Sequence, residues 1–291
     1  MRIAYFIGIH KNAAQFGRLL GALYRDCDQY FVHIDQKQSE SFCAEVANLI
    51  AAWPNVHLLP RLSVTWAGWS QCEMELAALG LACLSGQRWD YWINLSGQDY
   101  PIKPVQEIAD FLSAEKGKNF IDSRAIQQLE PQLRRVVKRR YQWLALEWGG
   151  RTRRLPLPTG AILSNKLTTY GSSWHMLSRG YCDWVAATGN KMAKIMRFTK
   201  SSDEFLHQFL IEQSPFADSL DLDNRRFYIF DGRPNPEILT GSHFDQLAGS
   251  NAFFARKFDP EQSKELMDRI DDELLIEHEM NVPEPEKRRI V

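Results

Sequence analysis

Residues Arg2–Ile9 form a near-continuous apolar run rich in β-formers, the pattern of a strand covered on both faces. Asn12 precedes apolar positions Phe16, Leu19, Leu20 and Leu23 at helical spacing, which predicts a helix to about Tyr24. Tyr30–Ile34 reads as a second strand ending at Asp35. Strand, helix and strand within about 33 residues make a βαβ unit, hence a parallel pair with a right-handed crossover. The alternation continues through a strand at Asn55–Leu59, a helix at Gln71–Leu84 closed by Gly86, and a strand at Tyr91–Leu95. A turn-rich Ser96–Pro101, a helix at Val105–Leu112 and a strand at Asn119–Ile121 follow. The reading is a single α/β domain with a mostly parallel central sheet flanked by helices. Such sheets bind ligands beyond the carboxyl ends of their strands, where His10, Asp35 and the Ser96–Asp99 turn fall.

The balance of 35 Lys and Arg against 36 Asp and Glu gives a formal charge of −1. That excludes a disordered chain and a surface built wholly for nucleic acid. No apolar run approaches the ~20 residues needed to span a bilayer, and the first residues lack the long apolar segment and cleavage site of a leader. Five scattered cysteines without a Cys-x-x-Cys pair read as free thiols, small buried hydrophobes in a reducing compartment. Nine Trp, nine Tyr and sixteen Phe supply planar rings of the kind that hold the apolar face of a sugar, though most belong to the core.

Several chemistries are absent. No Gly-x-Gly-x-x-Gly follows the first strand, and there is no P-loop, His-Glu-x-x-His or Gly-x-Ser-x-Gly. Asp26-x-Asp28 and Asp221-x-Asp223 do not directly follow buried strands and read as surface pairs rather than a metal grip. Leu133–Leu155 holds Arg134, Arg135, Lys138, Arg139, Arg140, Arg151, Arg153 and Arg154 against Glu147 alone. A solvated helical face is the ordinary reading of such a run, and a pocket for an anionic acceptor is the functional one. Pro260–Met280 reads as an acidic amphipathic helix, followed by a frayed or partner-bound tail at Pro283–Val291. The domain therefore runs over 1–259, with the helix and tail of 260–291 packed on it or extending from it.

Five blocks in order carry more weight: Phe31–Lys37, Trp66–Ser70 with Tyr91–Lys103, Gly171–Arg179, Ser201–Phe205 and Phe254–Asp259. Their order and spacing, from about Ile3 to Asp259, resemble glycosyltransferase family fourteen: the core-2/I-branching β-1,6-N-acetylglucosaminyltransferases and the peptide O-xylosyltransferases. The resemblance implies a GT-A type nucleotide-sugar fold and inverting, metal-independent transfer from a UDP-sugar, N-acetylglucosamine or xylose, to a glycan hydroxyl. By the same resemblance His10 and Asp35 border the uridine and Trp66 lies in the segment closing over the donor. Glu204 is the catalytic base and Arg256 and Lys257 hold the diphosphate. Trp174 lines the acceptor side, and Asp99 is placed there with it. The UDP-sugar is a co-substrate, and neither a cofactor nor a metal is expected.

The chemistry is coherent. An attacking hydroxyl needs one carboxylate to take its proton, and the departing diphosphate needs fixed positive charge, which Arg and Lys supply where an ion does not. On the residues alone, Ser201 with Glu204 reads first as a Ser-x-x-Glu capping box, and the resemblance turns the reading toward the base. Asp203 and Glu204 are adjacent and cannot face each other as an acid/base pair. Glu204 with His207 has Glu-x-x-His spacing, but with no second such motif it does not make a metal site. Aromatic Phe254 and Phe258 on the face of Arg256 imply its partial burial and the need of an anion.

Family members from eukaryotes usually carry a membrane anchor and disulfides. This chain shows neither, which places it in a cytoplasm, bacterial in kind, peripheral at most to the inner membrane, with a glycan or lipid-linked glycan acceptor. Arg233 is the candidate for the further basic residue that the family tends to carry before the Phe254–Asp259 block. The alternative from another class is a non-catalytic glycan- or nucleotide-binding module on the same scaffold.

Overall fold

The computed structural model describes residues 1–159, 166–230 and 235–275. The opening unit forms as its pattern predicts: β1 (Ile3–Ile9), α1 (Ala13–Leu23) and β2 (Gln29–Ile34). Then come α2 (Glu40–Ile50), β3 (Val56–Leu58), α3 (Trp69–Leu84), β4 (Tyr91–Ser96), the short β5 (Asp99–Pro101), α4 (Val105–Ala114) and β6 (Asn119–Ile121). The basic run is helical only over α5 (Pro131–Gln142); it continues as a two-stranded ribbon, β8 (Trp143–Trp148) with β9 (Arg151–Pro158). Two short strands flank that run in sequence and pair with each other, β7 (Arg124–Ala125) with β10 (Thr169–Tyr170).

In the main sheet β1 runs parallel to both β2 and β4, and β2 parallel to β3. Beyond β4 lie β11 (His175–Ser178), which runs antiparallel to β4 and β6, and β12 (Leu220–Asp221), which runs parallel to β6. The seven-stranded order is β12-β6-β11-β4-β1-β2-β3, with β11 the reversed member. The fold expectation of a mostly parallel sheet in one α/β unit is met.

Period-two alternation along β1 separates two apolar layers. Ile3, Tyr5, Ile7 and Ile9 pack with α1 and α4, while Ala4 and Phe6 pack with α3 and the helix Leu206–Glu212. A second, three-stranded sheet joins β13 (Arg226–Phe227), β14 (Phe254–Arg256) and β5. The chain order reverses direction between β1 and β4, so a crevice opens at their carboxyl ends.

Some expectations are corrected. Asp28 is not a surface residue. Its side chain is fully buried, accepts the Ile3 N–H at 2.8 Å and takes Arg25 in two bonds, pinning the start of β1. The bidentate guanidinium offsets the cost of burying that carboxylate. Only Cys72 and Cys182 are buried, and Cys27 is exposed, although all five cysteines are free. The C-terminal helix spans Lys264–Glu273. The end of its expected range, the tail and Arg233 lie outside the described residues.

Candidate active site

Two strand ends make the rim. His10 stands exposed at the end of β1. Asp35 is buried at the end of β2, where its N–H donates to the Ile9 carbonyl at 3.0 Å. Its carboxylate accepts the Lys37 N–H at 2.9 Å and meets Lys37 Nζ at 3.3 Å, so Asp35 closes its own turn while facing the crevice. Desolvation, then the charges of Lys11 and Lys257, lower the His10 pKa, with Asp35 opposing them. Lys257 is likewise lowered, first by desolvation, then by Arg256 and Lys11. The first and last blocks of the chain thus meet, and Lys11, Lys257 and Arg256 concentrate positive charge that favours an anion.

Arg256 comes from β14, which places it opposite Asp99 on β5. Its guanidinium lies 3.9 Å from the Trp174 ring centroid, and Nη1 is 3.5 Å from Asp99 Oδ1. Nε and Nη1 are buried without a hydrogen-bond partner, and burial lowers the Arg256 pKa. A buried guanidinium with idle N–H groups calls for an acceptor. Beneath it Arg226 donates to the carbonyls of Asn224, Asn94 and His175 and lies over the Phe254 ring; burial pulls its pKa down to about 10. Asp99 departs from its expected place on the acceptor side. It is fully buried, with Oδ2 accepting from Ser96 N–H and Oγ at 2.6 Å each, and it serves as counter-charge under Arg256.

Glu204 ends a single 3₁₀ turn, Ser202–Glu204, ahead of the helix Leu206–Glu212. The capping box does not form. Ser201 is in the left-handed region at φ 54°, and its side chain makes no cap bond. The Glu204 carboxylate is instead partly open to solvent and ion-paired with Arg140 at the end of α5. Burial works against the Arg140 charge, yet Glu204, with Tyr170 and Asp203, more than offsets it and raises the Arg140 pKa. Arg140 also lies 5.2 Å from the centroid of the Tyr170 ring. Burial and then the Glu204 charge raise the pKa of the Tyr170 hydroxyl. Asp203 turns inward with Oδ1 unpartnered, and burial followed by the Glu204 charge pushes its carboxyl up to about 7.

The segment Gly171–Trp174 joins the carboxylate to the cations. Gly171 N–H donates to the Glu204 carbonyl at 3.1 Å, Gln208 Nε2 holds the Ser172 carbonyl at 2.8 Å, and Trp174 carries Arg256 on its ring. Three residue steps span at most about 11 Å, so this short segment ties the backbone of Glu204 to the ring under Arg256. Trp66 is 63 % exposed on the loop before α3, and the next carbonyl, Ala67, accepts the Ser201 N–H at 2.8 Å. The sequence pointed to neither Arg140 nor Tyr170. Arg140 is hidden in a basic run most of whose other members are exposed, and the one available signal was the place of Tyr170 just before Gly171-Ser-Ser-Trp.

Glu75, His175 and His207 are clustered and buried below this turn. His175 Nε2 sits 2.6 Å from Glu75 Oε1, whereas His207 Nε2 is 4.0 Å away and unpartnered. Ligands of one tetrahedral zinc stand about 3.3 Å apart, given bonds of about 2.0–2.1 Å. As placed, the triad is a hydrogen-bonded network, extended by Tyr181 Oη 3.1 Å from His207 Nδ1. His207 faces this network, so it does not pair with Glu204 as a ligand set.

A family model described as "Core-2/I-Branching enzyme" matches residues 3–236. Xylosyltransferase 2 of Canis lupus familiaris is 28% identical over 93% of this chain, which spans about a third (33%) of that relative's length. The β-glucuronosyltransferase GlcAT14A of Arabidopsis thaliana is 29% identical, with 94% of this chain and 64% of the relative covered. A β-1,3-galactosyl-O-glycosyl-glycoprotein β-1,6-N-acetylglucosaminyltransferase 3 of Rattus norvegicus is 29% identical over 70% of this chain and 46% of its own length. Among solved structures, core-mannan synthase A of Aspergillus fumigatus overlaps 75% of this chain and 71% of its own at 9% identity and a TM-score of 0.38.

Proposed function

Since the chain belongs to the Core-2/I-branching enzyme family, we propose that it is a glycosyltransferase moving a sugar from a UDP-sugar to a glycan or protein hydroxyl. The donor sugar in this reading is N-acetylglucosamine or xylose, the transfer inverts the anomeric carbon, and no metal is needed. One observation carries it. A mostly buried Arg256 with idle N–H groups, beside Lys257, is tied through Trp174 and Gly171 to the backbone of Glu204, whose carboxylate is partly open.

In the reaction the acceptor hydroxyl gives its proton to Glu204 as its oxygen forms the new bond to the anomeric carbon. The bond from that carbon to the UDP oxygen breaks on the opposite face, and the electron pair leaves with UDP. The charge growing on the diphosphate is met by the N–H groups of Arg256 and by Lys257. Asp99 keeps Arg256 fixed before the donor arrives, which spares reorganisation during the step. Arg140, itself packed on the Tyr170 ring, holds the Glu204 carboxylate in one orientation and leaves its free lone pairs to the acceptor hydroxyl. His10 and Asp35 border the uridine side of the crevice, and Trp66 covers the donor.

The test is UDP release from a panel of UDP-sugars with EDTA present, together with UDP titrations of Lys257→Ala. Turnover in EDTA and a UDP affinity weakened about tenfold or more by the substitution are expected, since a charge-assisted contact is lost. Activity abolished by chelation and restored by Mn²⁺ ends the metal-free part of the reading.

A further inference from the structure

The ribbon of β8 and β9 has two unlike faces. Its register sets Leu146 opposite Arg153 and Trp148 opposite Arg151. Leu155 and Leu157 follow on β9 across a register shift between Arg154 and Pro158, and both are exposed. The other face is the fastened one. Glu147 accepts Ser70 N–H and Oγ at 2.7 Å each, and Thr152 Oγ1 donates to the Trp66 carbonyl at 3.0 Å. The leucine, tryptophan and arginine face therefore looks away from the body of the protein. Trp148 is 77 % exposed and Leu157 56 %. Arg153 lies 5.9 Å from the centroid of the Trp148 ring, so cation and indole are presented together. Among the described residues, no carboxylate pairs with Arg151, Arg153 or Arg154.

Charge adds an independent observation. From Pro131 to Pro158 the chain holds eight Lys and Arg against Glu147 alone, within a protein whose formal charge is −1. Glu147 is already engaged by α3, so it neutralises nothing on the outward face. The area decides between occupants. Eight residues at about 3.3 Å each by two strands about 4.8 Å apart give a face of roughly 250 Å². A stable protein partner needs about 800 Å² from each side. A polyanionic saccharide would satisfy the arginines and leave three leucines wet. A lipid surface takes both classes at once: aliphatic and indole groups enter the headgroup boundary while guanidinium groups meet phosphate.

We propose that the outward face of this ribbon docks the protein on an anionic lipid surface, with Trp148 and Leu157 entering the headgroup layer and Arg151 and Arg153 on lipid phosphates. Docking itself does not depend on the transferase reading. Its consequence rests on that reading: α5 leads from Arg140, paired with Glu204, directly into β8, so a membrane-held ribbon would bring the carboxylate close to an acceptor carried by lipid.

The test is flotation with phosphatidylcholine vesicles, with and without phosphatidylglycerol, using the full chain, Arg151→Gln/Arg153→Gln and Trp148→Ser/Leu157→Ser. All four side chains are exposed, so unchanged thermal melts are expected to show that both variants fold. The parent should bind only the anionic vesicles, less at higher salt. Losing two arginines should weaken partitioning roughly 30-fold, at about 1 kcal/mol each. The serine variant should also bind less. Parent protein that ignores anionic vesicles, or variants that bind as the parent does, overturn the proposal. So does a dimer by light scattering that the serine variant dissolves, because the face would then join two copies. Turnover on a soluble acceptor is read separately: vesicle binding without turnover keeps the docking and counts against the transferase reading alone.

Discussion

Gly171 has no room for a side chain. A Cβ built there would overlap the Asp122 carbonyl oxygen and lie 2.6 Å from its carbon. Ordinary contacts between such atoms begin near about 3.5 Å, so Gly171→Ala requires the segment to move by roughly 1 Å or more. Asp122 cannot yield easily, since its carbonyl is held by Gln208 Nε2 at 2.9 Å and its carboxylate by Ser172 N–H at 2.9 Å. The displaced part is the span between the Glu204 carbonyl and the Trp174 ring under Arg256. A misplacement of about 1 Å between reacting groups costs on the order of 100-fold in rate. Gly171→Ala is therefore expected to lose about 1–3 kcal/mol in urea unfolding by overpacking. Under conditions where it stays folded, kcat should fall about 100-fold and UDP affinity less than about tenfold. The assay is UDP release under saturating donor, paired with UDP calorimetry. Turnover within about threefold of the parent, in a variant with the expected stability loss, would refute the claim that this segment sets the spacing of carboxylate and cations.

Two further outcomes follow from contacts elsewhere. Glu147→Ala removes the carboxylate capping the first turn of α3 and should cost about 1–2 kcal/mol, read as a lower midpoint in urea; an unchanged midpoint contradicts the cap. Burial, followed by His175, holds the His207 pKa well below its ordinary value, so the unfolded chain binds a proton that the folded one refuses. The stability linked to His207 is then complete above about pH 6.5 and is lost as pH falls, at up to about 1.4 kcal/mol per pH unit. His207→Gln should flatten the melting-temperature profile between about pH 6.5 and 5 by that one proton, and an unaltered slope would show that the imidazole is not held neutral.

The parallel half of the sheet was legible because a doubly covered strand must be largely apolar, as Ile3–Ile9 is and as Tyr91–Leu95 is but for Asn94. The meeting of Asp35 and His10 followed from strand ends, which topology places together, whereas Lys257 was placed beside them only by the family resemblance. Other features depended on partners remote in sequence. Asp28 read as surface because the Ile3 N–H that encloses it, together with the neighbouring Arg25, lies 25 residues away. Ser201-Ser-Asp-Glu fits a capping box, but the left-handed backbone at Ser201 instead projects Glu204 toward Arg140. The ribbon was missed because its alternating apolar residues face outward, so no core burial marks them as strand. Asp99 ends a turn as expected, yet tertiary pairing with Arg256 puts it beneath the site.

The division of labour between one carboxylate and a pair of cations is tested most directly by Glu204→Gln, with donor turnover and UDP binding measured on the same preparation. The amide keeps the shape of the native side chain but cannot take the acceptor's proton. Turnover should fall by about 100-fold or more while the UDP dissociation constant stays within about threefold. A Glu204→Gln protein that transfers sugar at the parental rate, or that loses UDP binding in step with turnover, would contradict the account.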